Sequence, residues 1–202
     1  MGSVTSRDLA SDLPAALRAI AQAKTCAKES WVFRKGDTAQ AVYMVVDGEI
    51  RLSRFASDGS EIVLHRAGRG DFFAEAALNA PRYHCNAIAS GPTSLLAFPK
   101  ERMRALLARD AVFAGEWIAL LARHLHRARA RVERVALRSA AGRVLHYLNT
   151  EGRGPRCEVV IAGSIKDLAR ELGLTHESLY RTLARLEQQG VIVREEGRLR
   201  LK

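Results

Sequence analysis

The chain is poor in cysteine, proline and aromatic residues. Its 202 residues include three cysteines, five prolines and 6% aromatics. Cys26, Cys85 and Cys157 stand far apart, and no Cys-x-x-Cys pair occurs. The usual structural zinc spacings are therefore absent, and an odd count speaks against a disulfide framework. Long hydrophobic runs are missing too. Ala41–Val46 is as long as any, whereas a membrane span needs roughly 18 apolar residues. Residues 1–25 carry Asp8, Asp12 and Pro14 and lack the apolar stretch of a secretory signal. A cytoplasmic chain with no membrane partner is expected.

Enzyme signatures are also lacking. There is no Gly-x-Ser-x-Gly, no P-loop and no His-Glu-x-x-His. Gly68-x-Gly70 has no third glycine and no βαβ setting. The six histidines form no local metal pattern, and His124 and His126 cannot share a helical face. No catalytic residue, no metal site and no enzymatic activity are expected.

What is present is apolar content and positive charge. Hydrophobic residues make up 48%, enough for a true core, and the length allows one large or two small domains. The net charge is +10 and unevenly spread. Residues 1–100 hold 12 Lys and Arg against 10 Asp and Glu; residues 101–202 hold 20 against 12. A basic half beside a near-neutral half points to a polyanion met by the second half.

Four regions follow along the chain. Over 7–24, Leu9, Leu13, Leu17 and Ile20 make a helical stripe, with Asp12 as its cap before Pro14. Over 30–99 the pattern turns to short strands: 31–33, 42–46, 50–55, 62–65, 85–89 and 94–98. Turn signals divide them, among them Asp47-Gly48 and Asp58-Gly59, which read as hairpins. Ile50 and Leu52 alternate with Glu49, Arg51 and Ser53, giving one buried and one wet face. So many short strands mean a sandwich, barrel or jelly roll. Residues 101–138 read as a helix. Along it Ile118, Leu121, Leu125, Ala128, Val132 and Val135 form a heptad seam among arginines. A narrow apolar seam on a cationic helix calls for a parallel partner, hence a homodimer. Over 139–202 come a helix ending near Gly152, a strand at 158–162, two helices and a terminal hairpin.

The stretch 164–187 has helix-turn-helix spacing. Ser164 caps a first helix with Asp167 in its first turn, Gly173 makes the tight turn, and Thr175 caps a second helix. Leu168, Leu172, Leu179, Leu183 and Leu186 face inward. Opposite them Glu177, Arg181 and Arg185 step by four, flanked by His176 and Ser178. In a major groove Arg can donate two bonds to guanine and Glu can accept one from cytosine. The wing 191–201 then offers Arg194, Arg198 and Arg200, with Lys202 beyond it, to phosphate, which adds affinity but no sequence information.

These parts together resemble the cyclic-AMP receptor / fumarate–nitrate reductase regulator (CRP/FNR) family of bacterial transcription factors. The carriers are Lys35-Gly36-Asp37, residues 43–49, Gly70-Asp71-Phe72-Phe73, the long helix, and residues 165–192. The resemblance implies an α+β chain. An effector-binding β-roll (a jelly roll of the cyclic-nucleotide-binding type) with an N-terminal helix would span 1–110. A dimerisation helix would span 111–138, and a winged helix-turn-helix 139–202. It implies a homodimer on a near-palindromic double-stranded DNA site, with RNA polymerase as a partner. Thr175, His176, Glu177, Ser178, Arg181, Arg185, Arg198 and Arg200 are the expected DNA contacts.

The implied effector pocket comprises Phe73, Glu75, Arg82, His84, Cys85 and Asn86, with Leu125, Ala128 and Arg129 of the long helix. It departs from the cyclic-nucleotide branch. Ala74-Glu75 stands for Gly-Glu, and Cys85-Asn86 replaces the Arg-Ser that neutralises the cyclic phosphate. Cysteine cannot replace a two-pronged cationic donor. An effector other than cyclic AMP is expected, biasing the junction from Val135 to Gly142 between two orientations. Two further readings are a haem or redox sensor using Cys85 or His84, and a cyclic-nucleotide responder with a divergent pocket. A four-cysteine iron–sulfur cluster is excluded by the count.

Overall fold

A computed structural model describes residues 11–161 and 163–202. It divides into two compact units, parted between Gly115 and Glu116.

Among the described residues of the first unit, helix α1 (Ala15–Ile20) is followed by eight strands: β1 (Gln22–Cys26), β2 (Trp31–Phe33), β3 (Ala41–Asp47), β4 (Ile50–Phe55), β5 (Glu61–Ala67), β6 (Phe72–Phe73), β7 (Asn86–Ala89) and β8 (Thr93–Pro99). They form two antiparallel sheets, ordered β1-β8-β3-β6 and β2-β7-β4-β5. Phe33, Val45, Ile50, Ala67, Phe73 and Leu95 belong to the core that the sheets enclose. β3 is buried on both faces, because a 3-10 turn (Glu75–Asn79) and helix α2 (Lys100–Arg109) cover its outer side. That explains a continuous apolar run where a half-exposed strand would alternate.

Several expectations need correction. The N-terminal stripe does not continue to residue 24, because 22–26 is a strand pairing with β8. Asp12 is not the cap: Pro14 holds that place, with no side-chain hydrogen bond. Leu17 is buried as expected, while Leu9 lies outside the described residues. Asp58-Gly59 does join a hairpin, β4 to β5. Asp47-Gly48 does not, since β3 and β4 belong to different sheets. Gly48 has φ +88° there, and a Cβ on it would lie 2.6 Å from Thr93 Oγ1. Only glycine allows the chain to cross between the sheets at that point. Ser53 is buried rather than wet. It pairs with Asn86, and the Lys35 turn closes on that patch through Lys35 N–H to Asn86 Oδ1 at 2.8 Å.

The long helical region is broken at Asp110 (φ −112°, ψ 97°), where α2 ends and α3 (Ala111–Ala136) begins. The Asp110 carboxylate accepts the Phe113 N–H at 2.9 Å, an ordinary N-cap. Along α3 the seam residues Ile118, Leu121, Leu125, Ala128, Val132 and Val135 all stand exposed, while Arg134, only 1% exposed, is buried on another face. Among the described residues no helix is long and apolar enough to cross a membrane.

The second unit adds α4 (Ala140–Glu151), β9 (Val159–Val160), α5 (Ile165–Glu171), α6 (His176–Gln188), β10 (Ile192–Glu195) and β11 (Arg198–Leu201). α4 ends at Gly152 as expected, and the last strands pair as a hairpin that β9 extends. β9 is shorter than the expected strand, whose end at Ala162 lies outside the described residues. The core gathers Val144, Tyr147 and Leu148 of α4 with the five expected inward leucines and Ala169. Arg134 reaches this unit's α4, donating to Glu151 Oε1 at 3.0 Å and Thr150 Oγ1 at 3.2 Å beside the Tyr147 ring.

Candidate nucleic-acid interface and effector pocket

Two local devices set the angle of the helix-turn-helix. Ser164 and Asp167 form a capping box on α5: each side chain accepts a backbone N–H from the other end of the first turn. Gly173 (φ +63°) then reverses the chain, and the Thr175 side chain caps α6 by accepting Ser178 N–H at 3.2 Å. Leu179, Leu183 and Leu186 lock one side of α6 into the core. The opposite side carries His176, Glu177, Tyr180, Arg181, Ala184 and Arg185, all exposed.

The structure brings four of the expected base readers, His176, Glu177, Arg181 and Arg185, onto that one face. Glu177 is held ionised below the usual carboxylate range, first by its own backbone N–H and next by the Thr175 hydroxyl; His176 and Arg181 add to this. An exposed carboxylate acceptor beside a guanidinium can pair with a cytosine amino group and a guanine edge. Ser178 is half-buried, its N–H committed to the Thr175 cap.

The wing arginines are less available. Arg198 Nη1 lies 2.6 Å from Glu158 Oε1, Arg200 Nη2 lies 3.0 Å from Glu195 Oε1, and Arg194 Nη2 lies 3.2 Å from Glu187 Oε2. A phosphate must compete with these carboxylates.

In the first unit, Tyr83, Cys85 and Ala87 join the core, while His84, between the first two, is exposed. The expected split of His84 and Cys85 to opposite faces is what the structure has. Asn86 turns away from the core to hold the Lys35 N–H, and Arg82 donates to the Gly36 carbonyl at 2.7 Å. Neither points to a shared pocket with Cys85. Phe73 is fully buried, and Glu75 is half-buried near Cys85. Leu125, Ala128 and Arg129 stand exposed on α3.

Aromatic rings fill the roll interior. Phe33 and Tyr83 stack at 3.7 Å between centroids, Tyr43 lies 5.2 Å from Phe73, and the Tyr83 hydroxyl donates to the Ala41 carbonyl at 2.9 Å. Cys85 is 4% exposed, and burial pushes its thiol above the ordinary range despite the nearby Arg54. That cation comes from β4. Ser53 pairs with Asn86, which sets Arg54 across from Cys85, and Arg54 Nε donates to the His84 carbonyl at 2.9 Å.

The chain matches two family models. Residues 23–110 match the cyclic nucleotide-binding domain, and residues 142–202 match the Crp-like helix-turn-helix domain. It is 32% identical over 165 residues to the cyclic AMP receptor protein of Thermus thermophilus, covering 80% of this chain and 74% of that one. The chain belongs to the CRP/FNR family. A second relative of this CRP/FNR protein is the nitrogen fixation regulation protein FixK of Azorhizobium caulinodans. It is 30% identical, with 82% of this chain and 69% of that one covered. The fold is shared with FixK2 from Bradyrhizobium japonicum at a TM-score of 0.71 and 23% identity, over 91% of this chain and 93% of that one. As a CRP/FNR member the protein is a transcription regulator with a DNA-binding helix-turn-helix and an effector-binding domain, and regulators of this family bind DNA and act as dimers.

Three residues escaped the sequence reading of this CRP/FNR chain. Arg54 becomes visible only through strand register. Tyr180 carried a signal, since it lies four residues after His176 on the non-leucine side of α6. Arg143 joins α3 to the turn before α6 through backbone carbonyls, which no residue pattern announces.

Proposed function

We propose that the protein is a homodimeric, sequence-specific transcription regulator. It reads a near-palindromic duplex with Glu177, Arg181, His176 and Arg185 and answers to an effector other than cyclic AMP. The observation that carries this is the outer face of α6: an ionised Glu177 and two arginines stand open to solvent while leucines fix the other side. The uncovered seam of α3 supports pairing with a second copy. Two recognition helices then meet successive major grooves, about 34–36 Å apart. Arg198 and Arg200 of the wing supply phosphate contacts once their carboxylates yield. The protein acts in the cytoplasm and works through contact with RNA polymerase.

The roll supports an effector other than cyclic AMP. Cys85 takes the place of the phosphate-binding arginine, and it lies in the same buried core as the stacked rings. No observation favours haem: Cys85 is buried among apolar side chains, and His84 is exposed on the other face.

Selection of sites from a random duplex pool by the full chain, with sedimentation of the complex, tests this reading. The expected result is a symmetric consensus, two protomers per duplex, and affinity unchanged by cyclic AMP. Equal affinity for all duplexes, or one protomer per site, overturns it.

A further inference from the structure

The open face of α6 contains one large apolar surface, the ring of Tyr180, which is 50% exposed. Every other large apolar side chain of the helix is buried. The ring is also held from two sides. His176, one turn earlier, lies 5.7 Å away between centroids, with the rings tilted by 49°. The guanidinium of Arg194, from β10, sits 5.5 Å from the ring centroid, and Glu187 anchors it at 3.2 Å. Arg194 thus reaches two residues of the same face, two helical turns apart, with small Ala184 between them. A clamped ring loses little rotamer freedom on binding, so its contacts carry over into affinity with little entropic loss.

This geometry asks what an apolar surface meets beside Arg181 in a major groove. Base edges there carry hydrogen-bonding groups, with one apolar exception, the 5-methyl of thymine. We infer that Tyr180 is a specificity-determining residue that reads a thymine methyl next to the base pair contacted by Arg181. The inference rests on the DNA-reading role of α6 proposed above. It adds the base class that Tyr180 selects and assigns Arg194 and His176 as the residues that position the ring. The phenol hydroxyl is not needed for the contact.

The test uses the full-length protein and a duplex selected from a random pool, with each thymine replaced in turn by deoxyuridine. That change removes the methyl and keeps the base pair. Binding is read by fluorescence anisotropy for wild type, Tyr180→Phe, Tyr180→Ala and Arg181→Ala. One thymine per half-site is expected to show about a fourfold loss on conversion to uracil, from the burial of one methyl group. Tyr180→Phe keeps that loss, and Tyr180→Ala abolishes it at that position alone. The inference is overturned if no uracil matters to wild type, or if Tyr180→Ala retains the penalty. It is equally overturned if Tyr180→Ala or Tyr180→Phe weakens selected and scrambled duplexes alike, which would mark a wing-positioning or phosphate role. Arg181→Ala separates the two levels. If it relaxes preference at its own base pair while Tyr180 has no effect, only the tyrosine inference fails; if it relaxes nothing, base reading by α6 fails.

Discussion

The Arg143 guanidinium donates from Nη1 to the Gly173 carbonyl at 2.7 Å, in the turn of the helix-turn-helix. The same side chain donates from Nη2 to the Val135 carbonyl at 3.0 Å and from Nε to the Leu137 carbonyl at 2.9 Å, at the end of α3. A further bond of 3.2 Å goes to the Leu172 carbonyl. One planar cation thus satisfies carbonyls at the C-terminal ends of two helices, where the helix dipole is negative. Arg143→Gln is expected to destabilise the second unit by about 1–2 kcal/mol. Arg143→Lys recovers little of this, because an ammonium cannot span the same fork. Urea unfolding of the three proteins checks the order, and equal midpoints would refute it.

Arg134 makes a different case. It is buried, its Nε has no hydrogen-bond partner among the described residues, and its guanidinium lies 4.7 Å from the Tyr147 ring centroid. Its burial therefore contributes through packing as much as through the Glu151 bond. Arg134→Ala is expected to cost about 3 kcal/mol, mostly as a cavity. Arg134→Met fills most of that volume and is expected to cost about 1 kcal/mol or less. Chemical denaturation distinguishes them; identical losses would show that the charge, not the volume, matters.

Alkaline pH acts on the buried acids. Burial raises the Cys85 thiol, and burial with the Tyr83 hydrogen bond raises the Tyr43 phenol. Burial followed by the charges of Glu171 and Glu151 does the same for Tyr147. In each case the unfolded chain releases its proton first as pH rises. Stability is therefore full below the ordinary thiol pKa and falls progressively through the thiol and phenol ranges. Melting temperature against pH from 7 upward, for wild type and Cys85→Ala, reads this directly. The variant should lose the earliest part of the decline. In the native protein a thiol-specific disulfide reagent should label half-buried Cys157 well before Cys85.

Arg181→Ala is expected to cost about 1–3 kcal/mol in binding and to relax one base preference. Arg198 differs, because Glu158 already neutralises it at 2.6 Å. Glu158→Gln frees that cation, so affinity for all duplexes should rise together and the salt dependence should steepen by nearly one phosphate contact. Binding isotherms at several salt concentrations test both. A Glu158→Gln effect confined to the selected site would contradict the phosphate role.

The helix-turn-helix was legible because its determinants are local. Ser164, Asp167, Gly173 and Thr175 act within one turn, and the leucines repeat at helical spacing. The strands with alternating or branched residues were equally readable. β1 (Gln-Ala-Lys-Thr-Cys) was not, since a short polar segment becomes a strand only when β8 supplies its hydrogen bonds. The break at Asp110 was hidden inside an apolar pattern that runs past it on both sides. Asp47-Gly48 misled because a turn signal specifies the local reversal, not which sheet receives the next strand. In the candidate pocket, residue alternation separated His84 from Cys85. The approach of Arg54 needed cross-strand register, and the stacked rings needed the packed interior.

The bare seam of α3 has a consequence for how such a regulator responds to its own abundance. On the proposed dimer, protomers must meet before an operator can be filled. While they are dilute, operator occupancy then scales with the square of their concentration. Halving synthesis would cut operator occupancy about fourfold, so Ile118, Leu121, Leu125, Val132 and Val135 would set the gene-dosage sensitivity of the whole circuit.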